Sequence, residues 1–206
     1  MHVKTAIEGG DVAALQRLLA ANPGFVNTTV RWGKNDEILT QPLHFVCDKV
    51  FDGTLPAERA VLLARALIEA GADIDNQNGD PLNAAASLGA TGVGLLLLDA
   101  GARPDLRGLF GETALHWAAI TGNAVLVQHL LEKGAPVDVK DEKYQATPIG
   151  WALHGWNQPP PPGNHGRHGE AVVALVRAGA IVDPNWLAEA QARGQADVVH
   201  ALRGEL

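Results

Sequence analysis

A single cysteine, Cys47, stands in a chain of 206 residues, so no disulfide can form within the chain and a reducing compartment fits best. Basic residues are in short supply too. Sixteen Lys and Arg against 23 Asp and Glu leave a formal net charge of −7, which argues against a nucleic-acid backbone or an anionic membrane surface as the main partner. No basic run offsets that balance. Long hydrophobic runs are missing: Leu95 to Leu98 falls far short of the roughly 20 residues a bilayer-spanning helix needs. Lys4, Glu8 and Asp11 interrupt the N-terminal stretch, so a signal peptide is not expected. Catalytic signatures are missing as well. There is no G-x-S-x-G elbow, no G-x-x-x-x-G-K-[ST] phosphate loop, no G-x-G-x-x-G and no H-E-x-x-H. Gly92-Val93-Gly94 begins the dinucleotide pattern, but within a helical stretch that lacks the preceding strand. These absences lead to the expectation of a cytoplasmic protein with no cofactor and no enzymatic activity.

What the chain does have is repetition. Residues 111–138 hold its best-formed copy: Thr113 caps a short helix reaching about Thr121, with Leu115, Ala118 and Ala119 on one stripe. Gly122 ends that helix, and a second follows from about Asn123 to Lys133, with Ala124, Val127, Leu130 and Leu131 on one face and Gly134 where a left-handed cap is wanted. Helices this short are marginal alone, so their stripes need neighbours. The dipeptide Gly-Ala recurs at 71, 101, 134 and 179, and Gln41-Pro42-Leu43-His44, Asp80-Pro81-Leu82-Asn83, Thr113-Ala114-Leu115-His116 and Thr147-Pro148-Ile149-Gly150 each open a first helix. Ala114 to Pro148 is 34 residues and Gly101 to Gly134 is 33. That period and that TPLH-like signature resemble the ankyrin repeat, a β-turn plus two antiparallel helices. The resemblance covers essentially the whole chain. Gln41, Asp80, Asn83 and Gly150 depart from the motif.

The fold class expected is an all-α ankyrin-repeat solenoid forming a single domain over 1–206: an N-terminal cap over 1–27, repeats over 28–75, 76–105, 106–138 and 139–183, and a C-terminal cap over 184–206. Residues 28–40 form a long finger bearing Trp32, and Asp75 to Asp80 read as a shortened one. Two repeats carry insertions between their helices. His44 to Gly71 spans 27 positions and Gly150 to Gly179 spans 29, where His116 to Gly134 spans 18. The second insertion includes four consecutive prolines, Pro159 to Pro162, which favour stiff polyproline II. The segment Thr147 to Gly155 with its His/Gly-containing insertion also resembles bacterial ankyrin proteins as a group.

His44 and His116 occupy the motif position where the resemblance implies a hydrogen-bonded structural histidine. Trp117 and Trp151 beside that position are expected to pack, and Cys47 is expected to be a small buried core thiol rather than a nucleophile paired with His44. In ankyrin stacks the finger tips and exposed first-helix positions line the concave face where partners dock. Laid onto this chain, that face offers Trp32, Leu109, Phe110, Ile120, Tyr144, His154 and Trp156 as candidate partner-binding residues. The resulting expectation is a non-catalytic scaffold for a protein partner, monomeric, with neither nucleic acid nor membrane involved. The alternative is a small-molecule or metal pocket closed by the two insertions and using His154, His165, His168, Asp48 and Trp156. Three imidazoles can bind zinc or copper, though the spacing of His154, His165 and His168 matches no established metal motif.

Overall fold

The computed structural model describes residues 2–158 and 166–205. The polyproline stretch and His165 lie outside the described residues. The chain divides into two compact units, Met1–Arg103 and Pro104–Leu206.

The first unit pairs α1 (Val3–Glu8) with α2 (Val12–Ala21), α3 (Pro42–Phe51) with α4 (Ala57–Glu69) and α5 (Asn76–Ser87) with α6 (Thr91–Asp99). First helices pack on first helices, α1 on α3 on α5, and second on second, α2 on α4 on α6. The short cores of these helices close only between copies. Leu15, Leu63, Leu67 and Leu97 are fully buried, each contributing about 1.5–3 kcal/mol by leaving water. Cys47 is buried among them and donates weakly to the Leu43 carbonyl. A finger projects between α2 and α3 as a hairpin of β1 (Val30–Trp32) and β2 (Ile38–Thr40), with Trp32 opposite Ile38.

One stretch departs from expectation. Asp75 to Asp80 reads as a shortened finger, yet α5 begins at Asn76 and runs through Pro81. The Asn/Asp/Gly composition favours a turn locally, but helical backbone carries the Asp80 carboxylate to 2.7 Å from His44 Nδ1 on α3. That long-range bond is invisible to local composition.

The second unit repeats the scheme with α7 (Ala114–Ile120), α8 (Ala124–Glu132), α9 (Pro148–Trp156), α10 (His168–Arg177), α11 (Pro184–Ala192) and α12 (Ala196–Leu202). Helix α7 packs on α9, and α8 on α10 on α12. Side chains in the segments after the second helices tie successive copies within each unit. Asn27 Oδ1 accepts Asp73 N–H at 2.9 Å, Asp75 Oδ1 accepts Arg103 N–H at 2.9 Å, and Asp138 Oδ1 accepts Ile181 N–H at 3.0 Å.

The second insertion ends in a tight junction. Arg167 N–H donates to the Gly122 carbonyl at 2.8 Å, and His168 Nε2 lies 2.9 Å from the Ile120 carbonyl, so the start of α10 caps the end of α7. Only glycine fits there. A Cβ on Gly155 would overlap the Ile120 carbonyl oxygen, and Gly122, at φ +64°, would meet His168 and Gly166. Gly155→Ala is therefore expected to cost about 1–3 kcal/mol through overpacking. Urea unfolding measures this, and an unchanged midpoint would contradict the packing described.

Candidate partner-binding site

Asp141, 0% exposed, anchors the site. Its carboxylate accepts Tyr144 N–H at 2.6 Å, Ala146 N–H at 3.0 Å and the Trp151 indole N–H at 3.0 Å, while its own N–H donates to the Ala146 carbonyl. Burial alone would raise its pKa, but these donors hold it below the usual aspartate value. One carboxylate thus shapes the finger 141–146 and fixes the ring behind it.

Around that ring the aromatic side chains gather. Trp151 meets Trp117 edge to face at 5.1 Å between centroids, and Tyr144 at 6.4 Å. Together with Ile120, His154 and Trp186 they line a groove of about 590 Å³. Gly150, which stands where His44 and His116 stand in other copies, lines its floor, and a Cβ there would touch Ala146 and, at 3.8 Å, the Trp186 ring. His116 shows what a side chain does at that position: Nδ1 bonds Thr113 and Nε2 lies 3.2 Å from the Ala146 carbonyl, with burial depressing its pKa.

Beside the groove the preceding finger presents Leu109, 85% exposed, and Phe110, 51% exposed. It is braced from below: Phe110 N–H donates to Glu112, Glu142 N–H donates to the Phe110 carbonyl, and Arg107 donates to the carbonyls of Gly111 and Lys140. Lys143 Nζ sits 4.8 Å from the Tyr144 ring centroid and 5.6 Å from that of Phe110. Apolar tips are thereby held out in water by a rigid frame.

The second unit therefore brings Ile120, Tyr144 and His154 of the sequence candidates onto one groove, with Leu109 and Phe110 on the neighbouring finger. Trp156 is half-buried at the end of α9 and does not line the groove. His168 is engaged with the Ile120 carbonyl. Among the described residues no cluster of three or more His, Cys, Asp or Glu side chains suits a metal ion. Trp117, Ala146, Gly150, Trp151 and Trp186 are the lining residues that sequence reasoning leaves out. The signal present was Gly150, the departure from TPLH.

In the first unit Trp32 packs tilted against Phe45 at 5.6 Å between centroids, and Lys49 Nζ lies 4.8 Å from the Trp32 ring centroid, paired with Asp52. His44 lies between two carboxylates, with Nδ1 2.7 Å from Asp80 and Nε2 3.6 Å from Asp48.

A family model described as "Ankyrin repeats (3 copies)" matches residues 95–159, which include the groove's α7 and α9. Over those residues the chain matches ankyrin repeats. A solved ankyrin repeat domain from Acinetobacter baumannii AYE superposes with a TM-score of 0.70 over 98% of this chain and 95% of that one, at 22% identity, which speaks for the ankyrin fold alone. Among sequence relatives, the palmitoyltransferase Hip14 of Drosophila melanogaster is 40% identical over 68 residues, 33% of this chain and 9% of that protein. A putative ankyrin repeat-containing protein of Treponema pallidum (strain Nichols) is 38% identical over 84 residues, 39% of this chain and 28% of the relative. The chain thus spans less than a third of either sequence relative. Ankyrin repeats are generally protein-interaction modules and typically non-catalytic. No described helix is long and apolar enough to cross a membrane.

Proposed function

We propose that this ankyrin-repeat protein is a non-catalytic interaction module that docks a peptide segment of a protein partner on the finger and first-helix face of its second unit. The observation carrying the proposal is the groove itself: four aromatic side chains, Trp117, Tyr144, Trp151 and Trp186, surround a hollow left open by Gly150. Trp117, Tyr144 and Trp151, held by a buried carboxylate and by one another, are already ordered, so a partner side chain entering among them costs little reorganisation. Aromatic anchors in a pocket are also where binding energy concentrates at interfaces. Leu109 and Phe110 extend the contact along the adjacent finger.

The test fills the groove from its floor. Gly150→Leu leaves every aromatic residue in place and improves helix propensity in α9. Peptides selected from a displayed random library on the native protein are expected to lose at least tenfold in affinity for this variant. They are also expected to quench tryptophan fluorescence in the native protein only. Equal binding to both would place the docking surface elsewhere.

A further inference from the structure

The groove continues past Trp186. Ala146 and Trp186 also line a second hollow of about 540 Å³, formed with Asp138, Lys140, Ile181 and Asp183. Its chemistry differs from that of the first. Two carboxylates face one ammonium, and each carboxylate is fixed by backbone: Asp138 accepts Ile181 N–H at 3.0 Å, and Asp183 caps α11 by accepting Asn185 N–H at 2.8 Å. One backbone N–H leaves most of a carboxylate's acceptor sites unused. Trp186 forms the partition, with an aromatic hollow on one side and an acidic one on the other.

We infer that the segment docking here carries an arginine, its guanidinium seated between Asp138 and Asp183 and stacked on the Trp186 indole, and an apolar side chain two residues away in the Trp117–Trp151 groove. This rests on the docking role proposed above. Charge complementarity selects the cation: the hollow is net acidic, as is the chain at −7. Shape and stacking select arginine over lysine, because a planar guanidinium lies flat on an indole while its fork reaches carboxylates on either side. An extended peptide places alternate residues on the same side, about 6.5–7 Å apart, and the two hollows adjoin through Ala146 and Trp186.

The experiment uses the full chain and three fluorescein-labelled synthetic peptide pools of the form X-X-Leu-X-Arg-X, identical except for arginine, lysine or citrulline at the fifth position. Fluorescence polarisation is read on the native protein, on Gly150→Leu and on Asp138→Asn/Asp183→Asn. Asparagine keeps both the cap and the backbone bond while removing the charge. The arginine pool is expected to bind the native protein at least tenfold tighter than the citrulline pool, with lysine between. That preference is expected to fall to near unity in the double asparagine variant. Equal binding of arginine and citrulline pools, both still lost in Gly150→Leu, would overturn the cation and leave the docking groove standing. Binding of neither pool above its level on Gly150→Leu would overturn both.

Discussion

Asp141→Ala is expected to destabilise the second unit by about 3–5 kcal/mol, a loss large enough to threaten folding. The substitution removes the acceptor shared by Tyr144 N–H, Ala146 N–H and the Trp151 indole, and orphans donors in a site that water does not reach. Asparagine retains one acceptor oxygen, so Asp141→Asn is expected to lose roughly half as much and to shift the Trp151 fluorescence. The pH response has a definite sign. A carboxyl whose folded pKa lies below its unfolded value contributes stability that is complete above about 3.9 and is lost as pH falls through the folded value. Urea unfolding of native and variant proteins at pH 7 measures the loss. The native protein's advantage over Asp141→Ala is expected to shrink below about pH 4. A loss under 1 kcal/mol would show that the finger holds its shape by other means.

That dependence explains why the site was only partly readable in the sequence while the ankyrin fold was plain. The fold is written in local chemistry. Gly71, Gly101, Gly134 and Gly179 all end helices with φ between +85° and +96°, a backbone that side chains resist, and their spacing alone gives the period. Ile120, Tyr144 and His154 could be named because they fall at fixed offsets from the repeat signature. Offset assigns Trp117 and Trp151 to packing, and their rings do pack on each other, but both also line the groove. Trp186 sits in a terminal helix pair where no motif fixes the register. Asp141 acts mainly on backbone N–H groups, which carry no side-chain identity to pattern-match. Composition also misleads where tertiary bonds win, as at Asn76 to Asp80, where turn-forming residues extend a helix toward His44.

The two motif histidines shift in opposite directions, and from this follows a pH dependence of the first unit. His116 hydrogen-bonds Thr113 and the Ala146 carbonyl, and burial lowers its pKa despite the charges of Asp141 and Glu112. For His44, burial pulls the same way, but the hydrogen bond and charge of Asp80, with the charge of Asp48, prevail and raise it. Asp48 is only 8% exposed, its Oδ2 has no partner, and burial pushes its pKa to about 6 despite the nearby charges of His44 and Lys49; Asp80 and Asp52 add to the rise. A group whose pKa is raised on folding stabilises fully below its unfolded value and loses that contribution as pH climbs through the folded one. For Asp48 this window runs from 3.8 to about 6, and for His44 it begins near 6.5 and extends upward. Both therefore make the first unit less stable as pH rises toward 8. The distance from 3.8 to about 6 corresponds to roughly 3 kcal/mol, and solvent screening discounts this to roughly 1–2 kcal/mol. Asp48→Asn removes the Asp48 part of the effect, so it is expected to stabilise the unit by roughly 1–2 kcal/mol at pH 8, by about half as much at pH 5, and to leave it nearly unchanged only at about pH 3. Amide hydrogen exchange in segments 42–51 and 57–69 reads the first unit by itself. Protection there is expected to rise about tenfold in the variant at pH 8, after correction for intrinsic exchange. Equal protection at pH 8 would mean that Asp48 titrates as an ordinary surface carboxylate and that α3 tolerates its charge.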